Sequence, residues 1–126
     1  MRVVRSDKAP SPIGPYSQAV KTGDLLFVSG CLGADPQSGE LKEGIRAQAV
    51  QAMDNLANIL KEEGLGPNNV VKTTVYLKDM GDFSEFNTVY ASYFDASYYP
   101  ARTCIQVAAL PKNGLIEIEA IASGDR

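Results

Sequence analysis

Three side chains stand out against the segments that carry them. Residues 99–107 (Tyr-Pro-Ala-Arg-Thr-Cys-Ile-Gln-Val) and 115–122 (Leu-Ile-Glu-Ile-Glu-Ala-Ile-Ala) are rich in residues suited to a pleated surface, and the cluster from Pro111 to Gly114 separates them by a turn. Side chains on a strand alternate between faces. Arg102, Cys104 and Gln106 therefore share one side of the first segment, and Glu117 and Glu119 share one side of the second. A guanidinium and carboxylates placed in segments otherwise built for burial break local consistency, and such breaks mark sites. The bland reading is an ion pair or a surface arginine, together with acids that alternate with Ile because one face of the strand is wet. The sequence contains no histidine. Acid–base work must therefore run on Arg, Glu, Tyr, Ser, Thr, Asn, Cys, backbone groups and water.

Other candidates lie where the chain is stiffened or interrupted. Pro10, Pro12 and Pro15 hold the approach to Tyr16 extended, which suits a residue that projects its ring or hydroxyl to one place; an ordinary packed aromatic fits equally. Residues 17–21 and 25–30 read as a hairpin across Thr22-Gly23-Asp24, ending in Ser29-Gly30. The glycine there predicts a bulge or the close approach of another group, and Ser29 offers a hydroxyl at the same point. Cys31 follows, and Asp35 to Gly39 reads as a loop tip.

Those residues need elements to position them. Ile45, Ala49, Met53, Leu56 and Leu60 recur at helical spacing, predicting a helix over 45–63 that Gly64 ends. The β-branched run 70–77 predicts a strand, and strand–helix–strand implies a right-handed crossover between parallel neighbours if both strands share a sheet. A second helix is predicted over 83–94, capped by Asp82 with Glu85 in support. Phe83, Phe86, Val89, Tyr90 and Tyr93 form its core stripe, and Asn87 lies near the stripe's edge, read as solvated. The fold class is a single α/β (α+β) sandwich over residues 1–126: a mixed sheet of five or six strands with two helices on one face, leaving the other face in need of a partner.

Composition bounds the rest. The 126 residues suffice for one self-sufficient core, no apolar run is long enough to span a membrane, and the polar start suggests a cytoplasmic protein. Twelve basic against fifteen acidic residues leave a net charge of −3, with lysines scattered rather than grouped, so nucleic acid is not expected as the primary partner. The two cysteines lack zinc-site spacing and are expected to be free thiols.

Ile13-Gly14-Pro15-Tyr16-Ser17-Gln18-Ala19, Phe27-Val28-Ser29-Gly30, Val71-Lys72-Thr73-Thr74-Val75, Asp82-Phe83-Ser84-Glu85-Phe86-Asn87, Pro100-Ala101-Arg102-Thr103-Cys104 and Ile116-Glu117-Ile118-Glu119-Ala120-Ile121 resemble, in order, the reactive intermediate (imine and enamine) deaminase family. The resemblance implies a chorismate-mutase-like fold, a homotrimer with active sites between subunits, and hydrolysis of 2-imino acids such as 2-iminobutanoate and 2-iminopropanoate to 2-keto acids and ammonia without metal or organic cofactor. It also implies roles: Arg102 grips the substrate carboxylate with its planar fork, Glu117 orients water and moves a proton, and Tyr16, Ser29, Gly30, Asn87 and Cys104 line the pocket, Cys104 mainly through its backbone. Glu119 ranks second to Glu117. Cys31, where relatives commonly carry glutamine, and a short connection before Pro100 depart from the pattern. A non-catalytic ligand-binding trimer and a translation-inhibiting ribonuclease are the alternatives.

Overall fold

The computed structural model describes residues 1–125. Its strands form where β-branched and aromatic residues concentrate: β1 (Arg2–Val4), β2 (Ala19–Thr22), β3 (Leu25–Leu32), β4 (Val70–Leu77), β5 (Ala101–Gln106) and β6 (Ile116–Ser123). They make one sheet in the order β1-β2-β3-β6-β4-β5, in which β4 and β5 run parallel and every other neighbouring pair is antiparallel. The β2–β3 hairpin turns at Gly23-Asp24, where Gly23 takes φ +55°, a conformation that favours glycine.

Two α-helices, α1 (Gly44–Lys61) and α2 (Phe83–Ala91), pack on one face of this sheet. In α1 the buried residues Ala49, Ala52, Met53, Leu56, Ile59 and Leu60 keep helical spacing, so one stripe meets the sheet. Gly64 ends it at φ +69°, with the amides of Gly64 and Leu65 donating back to Lys61 and Leu60. The facing side chains are Leu26, Val28 and Cys31 of β3, Ile116, Ile118 and Ala120 of β6, and Thr73, Val75 and Leu77 of β4, all buried. Each large apolar member contributes about 1.5–3 kcal/mol by leaving water. Just past the end of β3, at Gly33, the chain touches α1: a Cβ there would sit 2.3 Å from the Gln48 carbonyl oxygen. Among the described residues no helix covers the opposite face, where Leu25, Phe27 and Ile105 stay 39–44% exposed.

Some expectations are corrected. β3 and β4 share the sheet and run parallel, but they are not neighbours, because β6 lies between them and pairs with both. A central antiparallel strand gives both of them a full ladder, which periodicity cannot foresee. The cap on the second helix also moves. The chain enters α2 through a 3₁₀ turn, Met80–Asp82, and it is Asp79 that accepts the Gly81 amide at 2.7 Å, while Asp82 makes no side-chain cap bond. That helix ends at Ala91, short of the expected Phe94. The expected turn between β5 and β6 is present as a 3₁₀ turn over Pro111–Asn113, with Lys112 and Asn113 at positive φ.

Candidate active site

The β3 strand carries one half of the site. Its pairing with β6 shifts register between Val28 and Cys31, so Ser29 and Gly30 form a bulge, as the glycine predicts. The Ser29 amide donates to the Gln18 carbonyl at 2.9 Å, and its hydroxyl donates to the Ser17 carbonyl at 2.6 Å. Gly30 is there because of Glu117. A Cβ at residue 30 would lie 2.6 Å from Glu117 Oε2 and 2.9 Å from its Cγ, so only a bare backbone lets the β6 side chain lie across the bulge. Tyr16, half exposed, stands at the same place.

Gln18 fixes the approach to Tyr16. It is buried, accepts the Ser6 amide at 2.6 Å, and donates through Nε2 to the carbonyls of Ser6 at 3.1 Å and Pro10 at 2.8 Å. The N-terminal arm is thereby tied to the start of β2. Between arm and sheet opens a cavity of about 750 Å³ whose wall includes Tyr16, Ser29, Gly30, Cys31, Glu117 and Glu119. Burial, and then the neighbouring Glu119 charge, push the Glu117 carboxyl above its ordinary range. The Cys31 thiol is pushed up to about 12, mainly by burial, and so stays protonated.

The other half is built by β5 and α2. Arg102 pairs in register with Thr73, a buried residue beneath the helices, so its side chain leaves the sheet on the helix-covered face. There the guanidinium carbon sits 4.8 Å from the Tyr90 ring centroid and 5.5–5.6 Å from those of Phe83 and Phe86. Nη1 donates to Asn87 Oδ1 at 2.8 Å. The Tyr90 hydroxyl is itself held 2.7 Å from the Thr73 hydroxyl. Three aromatic rings and one amide therefore set the guanidinium on the edge strand with most of its donors unspent. Cys104 lies two residues along on the same face. Partial burial raises its thiol while Arg102 draws it down.

Asn87 is thus not a solvated filler. It lies at the fourth residue from Phe83 and the third before Tyr90, in phase with the aromatic stripe, and that spacing is the signal that places it. The stripe itself was legible as core but not as the cradle for Arg102. The sequence reading also did not single out Gln18, which ties down the arm, or Tyr76, whose hydroxyl donates to Glu119.

Glu117 pairs in register with Tyr76, one step out of phase with the inward-facing Val75 and Leu77. Its side chain therefore leaves the sheet on the uncovered face. The seven candidate residues fall into two groups within one chain: Tyr16, Ser29, Gly30 and Glu117 at the cavity, and Arg102, Asn87 and Cys104 where β5 meets α2. Among the described residues no group of three His, Cys, Asp or Glu side chains converges as a metal site.

Residues 6–123 match the family model described as endoribonuclease L-PSP. The chain is 51% identical over 121 residues to a RutC family protein of Pyrococcus horikoshii, covering 95% of each. It is 52% identical over 122 residues to the 2-iminobutanoate/2-iminopropanoate deaminase of Mus musculus, covering 96% of this chain and 90% of the relative. The crystal structure of RidA from the Antarctic bacterium Psychrobacter sp. PAMC 21119 superimposes with a TM-score of 0.95 at 46% identity, covering 98% of this chain and 99% of that one.

Proposed function

Because the chain belongs to the endoribonuclease L-PSP family of RutC and RidA proteins, we propose that it hydrolyses reactive 2-imino acids and their enamine tautomers, with 2-iminobutanoate and 2-iminopropanoate as substrates, to 2-keto acids and ammonia. The observation that carries this reading is the pair of prepared groups: a guanidinium braced by Asn87 and three rings, and a half-buried carboxyl laid over Gly30. The names of mammalian relatives at about half identity support the substrate class.

The chemistry follows from the two groups. Arg102 takes the substrate carboxylate in a fork of two parallel hydrogen bonds. Glu117 accepts a proton from a water as that water's oxygen bonds to the imine carbon, and passes it to the nitrogen that takes up the C=N electron pair, giving the carbinolamine. Glu117 then takes the carbinolamine hydroxyl proton as the C=O bond forms and delivers it to the nitrogen as the C–N bond breaks, releasing ammonia. An imine already hydrolyses in water. Positioning, worth up to several kcal/mol, and this proton transfer suffice without a cofactor.

One chain does not present both groups to one substrate, so the reading includes an assembly. The β5–α2 edge of one subunit meets the cavity of the next, a heterologous contact that closes into a ring, and the family resemblance implies three copies. The uncovered sheet face, with Leu25, Phe27 and Ile105 exposed, supplies the apolar surface such a ring would bury.

The test is a coupled assay. An amino-acid oxidase or threonine dehydratase generates the imine in place, and semicarbazide traps what remains. Faster loss of imine with the wild type, abolished by Arg102→Ala and reduced by Glu117→Gln, is the expected result. No acceleration across several side-chain sizes by folded protein overturns it. A second reading, RNA cleavage, rests on the family model's description; salt-insensitive failure to bind single-stranded RNA would dismiss it.

A further inference from the structure

Two acids share the uncovered face of β6, Glu117 and Glu119, separated by one pleat of roughly 7 Å. Both line the cavity. Residue type and spacing do not distinguish them; the strand beside them does. Tyr76 of β4 lies directly across from Glu117 in register, yet its hydroxyl reaches diagonally and donates to Glu119 Oε1. Diagonal neighbours of this kind lie within reach of an aromatic side chain. Among the described residues no side chain donates a comparable bond to Glu117.

We propose that Tyr76 is a positioning residue that holds the Glu119 side chain in a fixed place beside Glu117, and so assigns the proton-transfer role to Glu117. The role of Glu117 rests on the deaminase reading above, whereas the coupling between the three side chains rests on the sheet alone. The Tyr76 bond fixes where the Glu119 carboxylate stands relative to Glu117. A charged Glu119 in turn opposes a second negative charge at Glu117, which then keeps its proton to higher pH and becomes the better proton donor to the leaving nitrogen. The phenol itself is pushed up to about 12, first by its bond to Glu119, and remains a donor throughout the working range.

The remaining charged or titratable groups around Glu117 do not duplicate this. From β3 comes Cys31, which burial keeps protonated. The N-terminal arm contributes Tyr16, and the turn before β6 contributes Lys112, whose ammonium donates to the Gly39 carbonyl at 2.6 Å. On β4, Lys72 shares the uncovered face but donates to the Thr103 hydroxyl at 3.0 Å. In the proposed ring the neighbouring subunit adds Arg102, whose charge is the same in all the variants compared. Glu119 is thus the one acid beside Glu117 on this face, and Tyr76 is its donor.

The test compares wild type with Tyr76→Phe, Glu119→Gln and, as a structural control, Thr74→Val. Thr74 pairs with Glu119 in register but gives it no bond. The dependence of kcat/KM on pH for 2-iminobutanoate has a limb on which activity falls with acidification as Glu117 gains its proton. That limb moves to lower pH in Tyr76→Phe and Glu119→Gln and stays in place in Thr74→Val. A limb unmoved in the first two, or moved as far in the control, overturns the assignment. Carboxyl ¹³C titration of Glu117 in the same four proteins reads the coupling without turnover. A lowered midpoint in Tyr76→Phe and Glu119→Gln supports the clamp, and an unchanged one overturns it. A lowered midpoint in a protein that accelerates no imine loss overturns the deaminase reading and leaves the clamp standing.

Discussion

Arg102 and Glu117 leave the same sheet from opposite faces: Arg102 beside the buried Thr73, and Glu117 beside Tyr76 on the uncovered side. The strand between them, β4, pairs with both of theirs, so the separation is built into the register and no rotamer change within one chain removes it. Each group is prepared where it stands. On the proposed reading, a substrate that needs both lies between two copies.

The guanidinium's shape matters as much as its charge. Its ring contacts and its bond to Asn87 suit a planar fork, and an ammonium keeps the charge but not the two parallel donors. Arg102→Lys is expected to lower kcat/KM in the imine assay by roughly 10- to 100-fold. Asn87→Ala, which frees one edge of the fork, should raise KM more than it lowers kcat.

Gly30 is needed for what its absent side chain leaves open. In Gly30→Ala the new methyl would meet Glu117 at 2.6–2.9 Å along its terminal atoms and push the carboxylate from the bulge. A displacement of about an ångström costs on the order of 100-fold in rate. The expected signature is a fall in kcat with a nearly unchanged melting temperature; retained turnover would mean that Glu117 tolerates a second position.

Gly33 presents the opposite case. Its Cβ would meet the backbone of Gln48 at 2.3–2.7 Å, and backbone within a helix cannot step aside alone. Gly33→Ala is expected to destabilise the fold by about 1–3 kcal/mol, read as a lowered urea midpoint. Its effect on activity should follow the loss of folded protein.

At the far edge of the sheet, Arg2 donates two hydrogen bonds to Glu63, at 2.6 and 2.8 Å, and Lys21 adds a contact at 3.7 Å. These hold the Glu63 carboxyl below the usual range, the bond from Arg2 being the largest cause. A carboxyl lowered by folding contributes stability above its unfolded value, about 4.3, and that contribution is lost as pH falls through the lower folded value. Hydrogen exchange should show β1 amides opening first on acidification below pH ~4, and Glu63→Gln should open them already at neutral pH.

Much of this was legible in the residues. The period of the apolar positions in α1, the β-branched run of β4, the bulge at Ser29-Gly30 and the shared face of Glu117 and Glu119 all follow from local rules that the tertiary structure leaves undisturbed. What was not legible depends on which strands become neighbours. β6 enters between β3 and β4 from the far end of the chain, and only that insertion sets Glu117 across from Tyr76 and places Arg102 on the opposite face. Asn87 shows the same limit at shorter range. Its helical phase can be read from the sequence, but its partner comes from a strand that α2 has not yet met.

The most direct measurement mixes two crippled proteins. Arg102→Ala and Glu117→Gln are purified separately, unfolded together in equal amounts, refolded and assayed for imine loss. If each site joins Arg102 of one subunit to Glu117 of the next, random assembly leaves about a quarter of the sites with both groups intact, and that share of wild-type activity returns. If one chain supplies both groups, every site in the mixture lacks one of them, and activity no greater than the mean of the two parents would contradict the shared site.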